Sequence, residues 1–242
     1  MIQTRKFGAY IFGSSAVLGD RQLEQLAQHF KQQPQPAESA LEGRSAHTID
    51  QIDGIGSVVI KPYMRGGLLR HVVKRRYLKL GNPRCRHEFE LLQKVRNLGI
   101  AAPEPVAFAY SGRLYYLGWL ITRAIEQPKS LVHLANTDTD TAQKVMPLVI
   151  EQISKLVQHH IQHIDLHPGN VIVDRNGRVF IIDFDKGRVF SGSRDNLRGL
   201  YLQRWQRAVS KHGLPLWLNE RLNAGLTGED DKTIAKKRTG DD

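Results

Sequence analysis

His163-Ile164-Asp165-Leu166-His167-Pro168-Gly169-Asn170, then Val171-Ile172-Val173-Asp174, a polar turn, and Phe180-Ile181-Ile182-Asp183-Phe184-Asp185: the reading of this stretch decides the fold. Two short apolar runs around a polar turn predict a hairpin. At its ends stand a carboxylate, a carboxamide and a second carboxylate: Asp165, Asn170 and Asp183. Phosphoryl transfer from a metal-bound nucleotide uses this set. One Asp orients and deprotonates the attacking hydroxyl, an Asn five residues on holds a metal, and a further Asp links metal to phosphate. A lone Asp-Phe pair would be noise, whereas the ordered combination is specific.

Asp165 is therefore read as the catalytic base, placed where a buried helix gives way to an extended loop. Its task is mainly to orient the acceptor, because the transition state is loose. Asn170 and Asp183 are candidate magnesium ligands; this hard cation takes oxygen donors and commonly only one or two protein groups beside phosphate and water. His163 and His167 flank Asp165 at i,i+4 spacing, but in a loop broken by Pro168 and without an evident third ligand. Packing or loop-ordering roles are expected of both.

Upstream, residues 47–52 and 57–61 surround the turn Asp53-Gly54-Ile55-Gly56, a good hairpin signal. The second run, Val58-Val59-Ile60-Lys61, matches the Val-Ala-Ile-Lys strand pattern, whose lysine holds the inner phosphates of a nucleotide. A helix over residues 84–98, with Phe89, Leu92 and Val95 on one face and Gly99 as its stop, offers Glu88 as partner to Lys61. Glu90 is the competing candidate. Gly43-Arg44-Ser45-Ala46 is the expected phosphate-covering turn; Gly43 alone permits free backbone approach, so Arg44 and Ser45 are expected to supply contacts.

Strands are predicted at 106–110 and 114–121, and a long helix at 141–160. Val145, Leu148, Val149, Ile153, Leu156 and Val157 should face inward there, with Pro147 in the first turns where its missing N–H costs least. A helical segment at 194–224 contains Trp205 and Trp217. Residues 1–36 read as an extension with a helix at 20–31 and a Pro-containing linker at 32–36, and residues 227–242 as a polar, disordered tail. This order predicts an α+β, two-lobed, protein-kinase-like fold. Its first lobe, residues 37–122, is mainly antiparallel sheet with one helix; its second, residues 123–226, is mostly helical; nucleotide is held between them.

Composition narrows the class. The 242 residues are 40% hydrophobic and 24% charged, enough for a packed core and against global disorder. A single cysteine, Cys85, cannot form an internal disulfide and suits a reducing compartment. No apolar run reaches the roughly 18 to 20 residues that span a bilayer. Arg5 and Lys6 before a mildly apolar run faintly mimic a secretory signal, but glycines and serines dilute it and ATP use favours the cytoplasm. The net charge is +11, and most of it lies in residues 61–96, with eleven Lys and Arg against Glu88 and Glu90. Such a patch implies an anionic partner or simply a solvated basic face.

With these residues placed, the chain resembles the bacterial lipopolysaccharide kinase family, the 3-deoxy-D-manno-octulosonic acid (Kdo) kinases in particular, over residues 43–202. The likeness rests on Tyr63-Met64-Arg65-Gly66-Gly67-Leu68, His87-Glu88-Phe89-Glu90-Leu91-Leu92, the Leu98-to-Val106 segment, and Asp183-Phe184-Asp185-Lys186-Gly187-Arg188. Asp185 replaces the glycine of Asp-Phe-Gly, and no Ala-Pro-Glu segment follows, which argues against a regulated protein kinase. The resemblance implies ATP- and Mg2+-dependent phosphorylation of a Kdo hydroxyl, position 4, on Kdo–lipid A. It further implies a cytoplasmic enzyme peripheral to the inner membrane, with the basic segment attracting the anionic inner-leaflet surface. Heptose, aminoglycoside or atypical protein kinases are alternatives of the same fold. A basic nucleic-acid-binding pseudokinase is an alternative of another class, against which the complete Lys, Glu, Asp, Asn, Asp set argues; no nucleic-acid partner is expected.

Overall fold

The computed structural model describes residues 2–31, 48–63, 77–78, 81–113 and 115–228. Gly43, Arg44 and Ser45, the linker at 32–36, residues 64–76 of the basic segment and the tail from 229 lie outside the described residues. The described chain falls into two compact units, one within Met1–Arg96 and Pro103–Ile125, the other within Asn97–Ala102 and Glu126–Asp242. The first is built on antiparallel strands and the second is mostly helical, the α+β arrangement that the element order predicts.

The first unit contains β1 (Gln3–Phe7), β2 (Tyr10–Ser14), α1 (Asp20–Lys31), β3 (Thr48–Ile52), β4 (Gly56–Pro62), β5 (Tyr77–Leu78), α2 (Arg84–Asn97), β6 (Pro105–Ser111) and β7 (Tyr115–Arg123). The sheet runs β1-β2-β6-β7-β4-β3, with β5 also paired to β7. Its register places Lys61 opposite Leu120 and Gly56 opposite Ile52. The β3–β4 turn needs the left-handed backbone that Gly54 and Gly56 adopt at φ 69° and 95°.

Side chains alternate across a strand, and this decides what each face holds. Val58 and Ile60 of β4, Ala107 and Ala109 of β6, and Trp119 and Ile121 of β7 share one core with Leu23, Leu26, Ala27 and Phe30 of α1. Val59 and Lys61 therefore take the opposite face, where α2 lies: Phe89 of α2 meets Phe108 edge-on at 5.3 Å. Cys85 of α2 donates its thiol to the Ala109 carbonyl at 3.4 Å. Gly118 permits this approach, because a Cβ there would stand 3.2 Å from the Cys85 sulfur. Burial pushes the Cys85 thiol pKa up to about 12, so it is a packing group and not a nucleophile.

The unit thus has a helix on each face of its sheet, where the sequence predicts one helix. Residues read as an extension carry the second. Strand β1 pairs with β2, β2 pairs with β6, and Phe30 of α1 stacks on Trp119 with ring centroids 4.4 Å apart. The physical reason is the apolar face of β4, β6 and β7, which would otherwise be open to water.

The second unit contains β8 (Lys129–Ser130), α3 (Leu131–Thr137), α4 (Thr139–Gln158), β9 (Ile161–Gln162), a 3-10 turn (Pro168–Asn170), β10 (Val171–Val173), β11 (Val179–Ile181), β12 (Arg188–Val189), α5 (Arg194–Lys211) and α6 (Trp217–Thr227). Helix α3 falls in the stretch read as a polar connection. Ser130 caps it by accepting from the His133 amide, and Asp138 closes it while capping α4. Pro147 lies well inside α4 rather than in its first turns, so the Gln143 carbonyl loses its helical donor. Leu148 is 42% exposed, because the buried stripe is centred on Val149 and Ile153 and turns Leu148 outward. Among the described residues no helix is long and apolar enough to cross a membrane.

Phe30→Ala should cost about 3 kcal/mol of stability or more, the usual toll for truncating a buried aromatic ring. Denaturant unfolding of the full chain checks this, and an unchanged midpoint would mean that α1 is dispensable.

Candidate active site

The first unit supplies one cluster. Lys61 ends the β4 run on the α2 face, and its ammonium lies 3.1 and 3.0 Å from the two oxygens of Glu88. Glu88 is only 2% exposed, so its charge is sustained by partners rather than by water. Lys61 is one partner, and the Tyr63 hydroxyl also donates to Glu88 Oε2. The Lys61 ammonium also sits 5.5 Å from the Tyr63 ring centroid. Glu90 pairs instead with Arg86 one turn away at 2.8 Å. The choice between the two glutamates is a matter of helical phase. Glu88 lies on the stripe of Cys85, Leu92 and Val95, and Glu90 does not.

The second unit supplies the other cluster, on the β10–β11 hairpin. Its ladder pairs Val171 with Ile181 and Val173 with Val179. Asp174 tightens the turn by accepting from the amides of Asn176 and Arg178. One step beyond the ladder, the Ile182 amide donates to the Asn170 carbonyl at 3.0 Å. Asn170 and Asp183 are thereby held at the same end of the hairpin. The Asn170 side-chain NH2 donates to the Asp165 carbonyl at 2.9 Å, which ties the start of the loop to its end. Asp183 adopts φ 65°, a left-handed conformation that Asp tolerates better than most residues.

The two histidines order this loop. His163 is buried, donates from Nε2 to the Ile182 carbonyl at 2.8 Å, and meets Phe184 edge-on at 4.7 Å. Its amide donates to the Tyr201 hydroxyl at 2.9 Å, and that hydroxyl donates on to the Ile161 carbonyl. Burial pushes the His163 pKa down. His167 caps the 3-10 turn, its Nδ1 accepting from the Gly169 amide at 3.0 Å. Burial, reinforced by the nearby Arg204 guanidinium, lowers its pKa to about 4. A neutral imidazole with Nδ1 unprotonated is what this cap requires.

Asp165 is one-third exposed and carries two cations: Lys186 Nζ at 2.9 Å from Oδ2 and Arg204 Nη2 at 3.5 Å from Oδ1. Sequence reading missed both as site residues. Lys186 was visible, three positions after Asp183. Arg204 comes from α5, and nothing in its local sequence marks it. Tyr63 and Tyr201 were missed likewise, since each acts through a hydroxyl contact at long sequence separation. Gly43, Arg44 and Ser45, expected to contact phosphate, lie outside the described residues.

The donor chemistry of Asn170 and Asp183 suits magnesium. Both present hard oxygens, and because the Asn170 NH2 is engaged by Asp165, its amide oxygen is the atom left to a cation.

Residues 28–217 match the lipopolysaccharide kinase (Kdo/WaaP) family. Among curated relatives, a 3-deoxy-D-manno-octulosonic acid kinase of Vibrio parahaemolyticus serotype O3:K6 is 32% identical over 60% of this chain and 62% of its own length. Proteins of the same name from Vibrio vulnificus and Stenotrophomonas maltophilia are 29% and 30% identical, over 71% and 72% of this chain and 74% and 72% of theirs. The chain thus spans less than two thirds of the first relative and nearly three quarters of the other two. A solved granulovirus kinase, PK-1 of Cydia pomonella granulovirus, overlays with a TM-score of 0.45 at 16% identity, covering 69% of this chain and 56% of that one. That likeness is too distant to bear on function.

The unfolded chain binds a proton at His167 below about pH 6.5, whereas the folded imidazole resists it until about pH 4. This share of stability is therefore present above pH 6.5 and is lost as pH falls toward 4. His167→Asn keeps an acceptor for the Gly169 amide but cannot titrate. Its melting temperature should fall less than that of the unaltered chain between pH 7 and 5; parallel curves would remove His167 as the titrating group.

Proposed function

The chain belongs to the lipopolysaccharide kinase (Kdo/WaaP) family of phosphotransferases, and from that membership we propose that it transfers the γ-phosphoryl group of ATP to a Kdo hydroxyl, position 4, of Kdo–lipid A. The observation that carries the chemistry is the hairpin end where Asp165, Asn170 and Asp183 are tied by two hydrogen bonds, Asn170 to the Asp165 carbonyl and Ile182 to the Asn170 carbonyl.

Asp165 accepts the hydrogen bond of the attacking hydroxyl and aims its oxygen at the γ-phosphorus. As the new phosphorus–oxygen bond forms, the bond to the β–γ bridging oxygen breaks, ADP leaves with that electron pair, and the hydroxyl proton passes to Asp165. Lys61, held in place by Glu88 and through it by Tyr63, is a fixed point charge for the inner phosphates. Asn170 and Asp183 would hold Mg2+, which when bound neutralises charge on the β- and γ-phosphates.

The acceptor is an anionic lipid, so we place the protein on the cytoplasmic face of the inner membrane as a peripheral enzyme. The excess of cations over residues 61–96 supports this. Each cation close to an anionic surface is worth about 1 kcal/mol. No nucleic-acid partner belongs to this reading.

Incubation with labelled ATP, Mg2+ and Kdo–lipid A should yield labelled lipid. Asp165→Ala should lower the rate by about 100-fold or more, the typical contribution of a positioned general base. Equal transfer by the variant would remove Asp165 from the mechanism. Charge removal at Arg70, Lys74, Arg75 and Arg76 together should abolish salt-sensitive binding to anionic vesicles in sedimentation assays. Undiminished binding would dissociate the basic segment from the membrane.

A further inference from the structure

The two cations on Asp165 pose a chemical problem for the reading just given. A base that must accept a hydroxyl proton works best with a free oxygen, yet Lys186 stands on Oδ2 and Arg204 beside Oδ1. Their distances differ in a telling way. The Lys186 contact of 2.9 Å is a full hydrogen bond, whereas the Arg204 contact of 3.5 Å is longer than an ordinary N–H···O bond.

Arg204 offers five N–H donors, and among the described residues this loose contact is its ion pair; its Nε is buried without a partner. Its side chain is 36% exposed and so remains within reach of solvent. Lys186 is 58% exposed and also has donors to spare. The pair therefore carries more positive charge and more donors than Asp165 can satisfy. Both stand on the carboxylate that would meet the acceptor hydroxyl.

Resting on the acceptor reading above, we propose that Lys186 and Arg204 form the subsite for the carboxylate of the acceptor sugar acid. A 3-deoxy-ulosonic acid carries its carboxylate on the same ring as its hydroxyls. A hydroxyl seated on Asp165 therefore brings that carboxylate within a few ångströms of these cations. Arginine suits the task because its planar fork matches a carboxylate. The incoming carboxylate draws the cations from Asp165, which frees an oxygen for the hydroxyl only when the correct acceptor is present. A neutral sugar would leave the base engaged.

The test pairs two variants, Arg204→Gln and Lys186→Gln, with two acceptors: Kdo–lipid A and the same lipid with its Kdo carboxyl methyl-esterified. On the intact acceptor each variant should lose about ten- to a hundredfold in kcat/KM, the worth of one charge-assisted hydrogen bond. The loss should lie mainly in the KM of the acceptor, with the KM of ATP unchanged and thermal melts confirming the fold. The unaltered chain should lose a similar factor on the ester, and the variants should lose little more there. Arg204→Lys should recover part of the activity on the intact acceptor alone. Equal losses on both acceptors would overturn the inference, because the cations would then serve the phosphoryl group or Asp165 itself. So would full activity of the unaltered chain on the ester. Absence of transfer to either lipid by the unaltered chain would fell the acceptor reading as well, which separates the two failures.

Discussion

The hydrogen bond from the Ile182 amide to the Asn170 carbonyl is the contact on which the geometry of the second unit's candidate site rests. A strand ladder has a period of two, and a slip of one residue would move Asn170 off Ile182 and reverse the faces of one strand relative to the other. The three paired positions of β10 and β11 are few, so the register needs support at both ends. At the turn, Asp174 gathers two amides. At the open end, His163 holds the Ile182 carbonyl while Asn170 holds that of Asp165. The polar side chains here are therefore the fasteners of a short hairpin as well as candidates for catalysis.

Glu88 plays the corresponding part in the first unit. A carboxylate this deeply buried would be costly alone, and Lys61 and Tyr63 both answer it. The arrangement converts a flexible lysine into a fixed charge, since two oxygens on a rigid helix define where the ammonium can sit. Its precision depends on α2 lying close to β7, which the bare Cα of Gly118 permits. The opposite sheet face has a different task. There α1 and its stack of Phe30 on Trp119 seal the apolar side of β4, β6 and β7. Residues 2–31 thus stabilise the sheet that carries Lys61, although none of them belongs to the candidate site.

Around Asp165 the balance of charge is the informative quantity. One carboxylate faces two cations, and the guanidinium of Arg204 also helps keep His167 neutral. A neutral His167 can cap the turn that delivers Asn170, so the same arginine bears on both loop geometry and local charge.

Much of the fold was legible because its signals are local. The β-branched run in residues 57–61, the Asp-Gly turn, the helical phase of Phe89, Leu92 and Val95, and the spacing from Asp165 to Asn170 are all properties of short windows. Those windows marked the elements around them and named Lys61, Glu88, Asp165, Asn170 and Asp183 as candidates. What they could not determine was which apolar face would be covered by what. Helix α1 was visible as a helix, but its role as a lid for the sheet depends on pairings between residues nearly a hundred positions apart. The same limit applies to Tyr63, Tyr201, Lys186 and Arg204. Each acquires its role from a partner brought near by tertiary packing, and the energy of such a contact depends on distance and burial, neither of which is written in sequence spacing. The sequence by itself chose the chemistry-bearing residue types; only the folded chain decided which charges face one another.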